Sequence, residues 1–526
     1  MRRAQTVSAL TPLRADKRRA RMIAPVVIVA ALLGGLAAAT QPALLLAPFL
    51  VLVPIMLWKR PAWGVVVLVG AATTIEQFGY SIGTRDGAIT SKIPLFRTPI
   101  HGLIISPVEV FIIVALVVWF LRSGLQHSFG LSRSPVAICM AVFAVFLIAG
   151  MGIGMSHGAH IKNALWELRP WILLCTTYLL AWALLRTRRS LDALLWTLVI
   201  GTGFKALQGT YIFFAFARAM VPRPEAILGH EESYFFCVFV LVTAALWMYN
   251  QRGALRTTAT ALLPFVIIAD LANARRLAWL LMIVSLILLL VLGYATLPNR
   301  RHALRRVFMV CVVVGSVYFP VYWQKTGTLA QPARAIHSAI QPDTRDQSSD
   351  LYRQQEDVNL LINIKAAGKL GRGFGIPIVY SSTIADISGA DSMIAFIPHN
   401  GLLWIWMRLG LQGEIAFWCL IAAALIRACQ LARSKEPKLA MLGAIVVCAI
   451  VAYTLIGYND LGFAWFRVAV VMGSLLGAVE AGLRFADKPD PHSRLALAPA
   501  PDADLERDRS ASTRPSVELV SAAADR

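Results

Sequence analysis

Three polar clusters interrupt an otherwise apolar chain, and each holds side chains able to do chemistry. The first is Asn273-Ala274-Arg275-Arg276-Leu277-Ala278-Trp279, two guanidiniums at the start of an apolar block. A helix N-terminus beside two arginines is a strong phosphate trap, because free N–H groups and cationic forks converge there. The competing reading is snorkelling of both side chains toward lipid headgroups. The second cluster is Ser348-Ser349-Asp350-Leu351-Tyr352-Arg353, followed by Gly371-Arg372-Gly373-Phe374-Gly375. Asp350 suits an N-cap. That start places Arg353 in the first turn, where a cation opposes the helix dipole and favours a bound anion or a carboxylate partner. The glycine run predicts a tight turn with accessible backbone, and it lacks the GK[ST] element of a P-loop. The third cluster is Pro398-His399-Asn400-Gly401, followed by Arg408-Leu409-Gly410-Leu411-Gln412-Gly413. A histidine at a helix start, between polar loop and apolar span, can be a general base near neutral pH or a structural residue. Asn400 can orient it, orient a bound ligand, or cap the helix.

The elements that must position these clusters are membrane spans. The chain has 526 residues, 57% of them hydrophobic and 15% charged, with mean hydropathy +0.64. A soluble domain carries roughly 25% charge. The apolar residues fall in blocks of about 17–25, the length of a helix that crosses a bilayer. The reading is an all-α polytopic membrane protein of about fourteen spans, near 22–40, 42–58, 62–78, 103–121, 135–154, 170–186, 191–216, 233–250, 257–272, 276–295, 304–322, 400–426, 438–458 and 461–484. The twelfth exceeds the needed length and is expected to kink or tilt near Gly410 and Gly413.

The 50 Lys+Arg against 29 Asp+Glu give a net charge of +21. Without a basic groove motif this charge does not point to nucleic acid. It sits largely in short loops and tails, for example Arg186/Arg188/Arg189 and Arg300/Arg301/Arg305/Arg306. Basic short loops stay in the cytoplasm, so both tails are expected inside. The organisation is a basic N-terminal tail (1–21), eleven spans (22–322), a large extracytoplasmic loop (323–398), three spans (399–484) and a disordered tail (485–526) rich in Pro, Ala, Asp and Arg. The loop is far longer than usual and so is expected to be functional or partly structured. Its segment DLYRQQEDVNLLINIKAAG predicts a helix whose apolar residues, Leu351, Val358, Leu361, Ile362 and Ile364, could pack onto the membrane domain. The seven cysteines form no CxxC pair and the loop has none, so neither disulfide framework nor cysteine metal site is supported. The N-terminal apolar stretch lacks a convincing cleavage site and reads as a retained helix.

Taken in order, RRLAW, SSDLYR with GRGFG, and HNGLLWIWMRLGLQG resemble motifs of the bacterial O-antigen ligase and polymerase superfamily over about residues 261–413. The resemblance implies transfer of a glycan from a polyprenyl-diphosphate carrier to an acceptor hydroxyl on a glycan, lipid or protein, at the outer face of a bacterial inner membrane. It implies that the family's helix-start arginine falls on Arg276 or its neighbour Arg275, its loop arginine on Arg353, and its essential histidine on His399. Arg275, Arg276, Arg353 and Arg372 then form the candidate donor-diphosphate set, and His399 the proton acceptor, whose pKa neighbouring arginines would lower. No DxD-like metal motif adjoins the clusters, so metal-independent transfer without a cofactor is expected. One departure is Gly229-His230-Glu231-Glu232-Ser233 before the eighth span. Glu231 and Glu232 there read either as a solvated loop or as acceptor contacts. The alternative class is a transporter or flippase for a lipid-linked or anionic solute, which would use intramembrane cations such as Lys205 and Arg467, but the chain lacks the internal symmetry that class often carries.

Overall fold

A computed structural model describes residues 46–486, apart from 79–80, 83–84, 87–88, 98–104, 128–129, 131, 222–223, 225, 326 and 383–391. The expected first span, the basic N-terminal tail and the tail beyond 486 lie outside the described residues. The longer elements are α1 (Leu46–Lys59), α2 (Trp63–Thr74), α3 (Pro107–Leu125), α4 (Pro135–Ser156), α5 (Ile161–Leu184), α6 (Arg188–Ala215), α7 (Glu232–Met248), α8 (Ala254–Asn273), α9 (Arg276–Thr296), α10 (Arg301–Tyr322), α11 (Gln331–Ile340), α12 (Thr344–Ala367), α13 (Gly401–Ala432), α14 (Pro437–Asn459) and α15 (Phe466–Ala486). A two-residue antiparallel ladder, Ser81–Ile82 with Arg85–Asp86, interrupts the helices.

Among the described residues nine helices are long and apolar enough to cross a membrane: α3, α4, α6, α8, α9, α10, α13, α14 and α15. The protein is an all-α membrane protein. The other expected spans in this region are also helices but differ in kind. α1, α2 and α7 are shorter, and α5 carries Lys162, Glu167 and Arg169 within its length. The core lies around α15, whose apolar window is 94% buried, while that of α10 is 6% buried. α15 packs on α5 through Gly473 and Gly477, and the four-residue spacing of small residues lets the two backbones approach closely.

The loop between α10 and α13 folds into α11 and α12. α12 starts earlier than the sequence suggests: Asp343, not Asp350, caps it by accepting from Asp346 N at 2.8 Å. Arg353 therefore sits well inside the helix, and the dipole argument for a bound anion does not hold. The buried stripe also differs from the expected one. Leu351, Val358, Leu361 and Ile362 are exposed and only Ile364 is buried. The inward face is Glu356, Asn359, Leu360, Asn363 and Ile364. Its asparagines face irregular loop backbone, whose polar groups need partners once buried. Asn359 Oδ1 accepts from Ser381 N at 2.7 Å and Ser382 N at 3.0 Å. Asn363 accepts from Val379 N at 3.1 Å and donates to Val379 O at 2.7 Å.

α13 breaks at Gly410, which has φ 69° and ψ −177°. With the helical ladder interrupted there, the carbonyls of Met407 and Arg408 accept from Arg372 N at 2.8 Å and Gly373 N at 3.0 Å. The Gly371–Gly375 turn is thus wedged between the kink and α4. Gly373 has φ 75°, and a Cβ there would lie 2.1 Å from Gly154 N, so this position requires glycine.

Candidate functional site

One wall of the site comes from the tight junction of α8 and α9. Asn273 ends α8, Ala274 turns the chain with φ 49°, and Arg275 caps the next helix. A left-handed alanine is strained. It is held there because Asn273 clamps the chain before α7: Leu228 N donates to Asn273 Oδ1 at 2.9 Å, and Asn273 Nδ2 donates to Gly229 O at 3.3 Å. The same junction therefore places both arginines and, through residues 228–229, His230.

A cavity of about 300 Å³ opens where this junction meets α11, α12 and the end of α14. Arg275, Arg276, Arg334 and Arg353 line it, opposed by Asp346, Asp350 and Asp460. Arg276 donates to Ser338 Oγ at 3.3 Å and Asp350 Oδ1 at 3.2 Å, and its Nε lies 3.5 Å from Asp346. Arg353 lies 3.8 Å from the same Asp350 oxygen. Arg334 pairs with Asp343 at 2.6 Å and Asp346 at 3.6 Å. Four cations against three anions leave the lining slightly positive, and the contacts at 3.2–3.8 Å are weak enough for an incoming anion to replace. Arg334 was invisible in the sequence, because nothing local distinguishes it from any other loop cation.

His399 is not on the cavity lining but stands beside it. Its Nδ1 lies 3.2 Å from Glu356 Oε2, and its backbone N donates to the same oxygen at 2.9 Å. Tyr352 packs edge-on at 5.6 Å. The carboxylate thus fixes the ring and leaves Nε2 for other work. Burial disfavours the imidazolium, but the hydrogen bond and charge of Glu356, with the charge of Asp460, outweigh both burial and Arg353. The His399 pKa is therefore raised, opposite to the expectation that arginines would lower it. Asn400 caps α13, accepting from Leu403 N at 3.2 Å, and also hydrogen-bonds Asp357.

The remaining expected site residues are elsewhere. Arg372 lies in the glycine turn, bonded to Asn363, and does not line the cavity. Glu231 and Glu232 are neither solvated nor on the lining: both are buried on Arg467, at 3.0 and 2.6 Å. Lys205 is likewise buried on Glu76. The two intramembrane cations that a transporter could use are thus committed to ion pairs. Arg408 is the main attachment of the loop to the bundle. It bonds Glu167 at 2.6 Å, Gly373 O at 3.1 Å, Ile376 O at 2.7 Å and Phe396 O at 2.8 Å. Glu167 also accepts from Gly375 N at 2.7 Å and Trp404 Nε1 at 3.0 Å.

Chemically, the cavity combines guanidiniums with a nearby histidine–carboxylate pair, suited to an anionic group beside a proton-transfer step. Among the described residues no three His, Cys, Asp or Glu side chains are grouped to hold a metal ion. No family model matches this chain, and a search of curated proteins finds no match.

Proposed function

We propose that this protein is a membrane glycosyltransferase of the O-antigen ligase or polymerase type, acting on a polyprenyl-diphosphate-linked glycan in cell-surface polysaccharide synthesis. The observation that carries the reading is the arginine-lined cavity between the loop and the membrane helices, with the His399–Glu356 pair beside it. In this reading the acceptor oxygen attacks the anomeric carbon and the bond from that carbon to the diphosphate oxygen breaks. Polyprenyl diphosphate leaves with the electron pair, and the hydroxyl proton passes to His399 Nε2. Arg275, Arg276, Arg334 and Arg353 stabilise the charge developing on the leaving group, where fixed donors have most effect. Glu356 stabilises the imidazolium as it forms.

The same reading sets the cavity on the outer face of a bacterial inner membrane, with fourteen spans and both tails in the cytoplasm, since the short basic loops fall on the opposite side. Labelling of Ser349→Cys by an impermeant reagent in intact cells is the expected result for this sidedness. Labelling only after lysis overturns it.

The decisive experiment is transfer by purified protein from a lipid-linked donor. His399→Ala is expected to lower turnover by about 10²–10⁴, the usual worth of a general base, while still binding undecaprenyl diphosphate. His399→Asn with wild-type turnover removes the proton-acceptor role.

A further inference from the structure

The cavity has two chemically distinct walls. α9, α11 and α12 supply the arginines. Another part of the lining comes from the entry to α7 and the end of α14: His230, Ser233, Asn459 and Asp460. His230 Nδ1 bonds Asp460 Oδ2 at 3.0 Å, and the other Asp460 oxygen accepts from Leu461 N at 2.8 Å. One carboxylate oxygen thus orients the ring, and the other is tied to the backbone. The His230 side chain is 45% exposed, and with Nδ1 engaged its Nε2 is the nitrogen available to a ligand. Ser233 is 3% exposed, yet its hydroxyl has no hydrogen-bond partner among the described residues. A buried orphan hydroxyl on a cavity wall is costly unless a ligand completes it. The wall is also anchored: Glu231 and Glu232, between His230 and Ser233, are paired with Arg467, and residues 228–229 are clamped by Asn273.

We propose that this wall is the acceptor subsite and takes a saccharide hydroxyl, hydrogen-bonded by His230 Nε2 and Ser233 Oγ. The inference rests on the glycan-transfer reading and adds to it a division of the cavity, with diphosphate on the arginine wall and acceptor on the His230 wall. A saccharide hydroxyl both donates and accepts, which suits an imidazole nitrogen and a serine hydroxyl, whereas a diphosphate suits guanidinium forks. His230, not Glu231 or Glu232, is then the acceptor contact from the segment before α7.

The test uses full-length protein in nanodiscs, undecaprenyl diphosphate as donor-side binding probe, and, for transfer, a glycolipid extract from cells lacking the gene as source of both lipid-linked glycan donor and acceptor. His230→Gln and Ser233→Ala are each expected to raise the acceptor KM several-fold, up to about tenfold, the size of one or two hydrogen bonds. Affinity for undecaprenyl diphosphate stays at the wild-type value. Ser233→Ala removes only an unbonded hydroxyl, so it keeps the test valid if the histidine variant misfolds. An unchanged acceptor KM in Ser233→Ala and in any folded His230→Gln overturns the subsite. So does a matching loss of undecaprenyl diphosphate affinity, which would move the wall to the donor. If wild-type protein neither binds undecaprenyl diphosphate nor transfers glycan, the glycan-transfer reading itself fails, and the subsite fails with it.

Discussion

Two populations of arginine divide this molecule. Arg408 and Arg467 are fully buried, each with a carboxylate at 2.6 Å. Arg276, Arg334 and Arg353 are 23%, 24% and 37% exposed. The cavity-lining carboxylates they meet, Asp346 and Asp350, are shared between them. Arg408 spends all three guanidinium nitrogens on fixed acceptors and Arg467 spends two, and losing the carboxylate partner of either leaves an unpaired charge in low dielectric. A cavity guanidinium held loosely at the surface contributes little to stability and keeps donors for an anion. The same residue type therefore builds the scaffold in one place and presents charge in the other, and depth and partner geometry decide which.

The largest test of that division is Arg408→Leu. It strands Glu167 and releases the carbonyls of Gly373, Ile376 and Phe396, and breaking a buried pair costs about 3–5 kcal/mol. Thermal unfolding in detergent should fall sharply, with faster proteolysis of the loop. Normal stability would mean that the loop is held by something else.

Arg353→Ala is the converse. It should leave thermal stability within about 1 kcal/mol, as for an exposed pair, while weakening undecaprenyl diphosphate binding. Arg353→Lys should rescue that binding poorly, since an ammonium cannot form the planar fork. Equal binding by wild type, Lys and Ala variants would erase the distinction between the two populations.

Glu356→Gln sharpens the comparison, because Glu356 is buried like the scaffold carboxylates but faces the histidine beside the cavity. The raised His399 pKa moves the acid limb expected of wild-type turnover upward from the ordinary histidine value, with activity lost as pH falls through it. Removing the carboxylate's charge should move that limb to lower pH. The pair's contribution to stability runs the other way: it is complete below the unfolded histidine value and fades as pH rises through the raised folded one. A variant profile that coincides with the wild type would detach Glu356 from the proton step.

The smallest effect is expected at Ala274, whose left-handed backbone serves both walls of the cavity. Ala274→Gly relieves strain of about 1–2 kcal/mol but adds unfolded-state entropy of about 0.4–1 kcal/mol. The net gain in stability should be under about 1–2 kcal/mol, with turnover unchanged. A loss of stability would indicate that the junction is not strained.

The sequence alone determined the helices and their membrane character, because span length and hydropathy are local properties. It pointed to a kink or tilt near Gly410 and Gly413, since an overlong apolar block with paired glycines signals one, and the break falls at Gly410. It also picked out Arg275, Arg276, Arg353 and His399 as residues of interest. Only the tertiary structure decided what each polar residue does. The partners lie far apart in the chain: Arg408 and Glu167 are 241 residues apart, Arg467 and Glu231 236, Arg276 and Asp350 74, His399 and Glu356 43. No local pattern encodes such pairings. For that reason Arg372, Glu231 and Glu232 looked like site residues but lie off the cavity lining, while Arg334, which gave no signal, and His230, singled out only as a neighbour of the two glutamates, line the cavity. The same limit explains the loop helix: an apolar stripe predicts burial only when the opposing surface is apolar, and here the opposing surface is loop backbone, which drew the asparagine face inward.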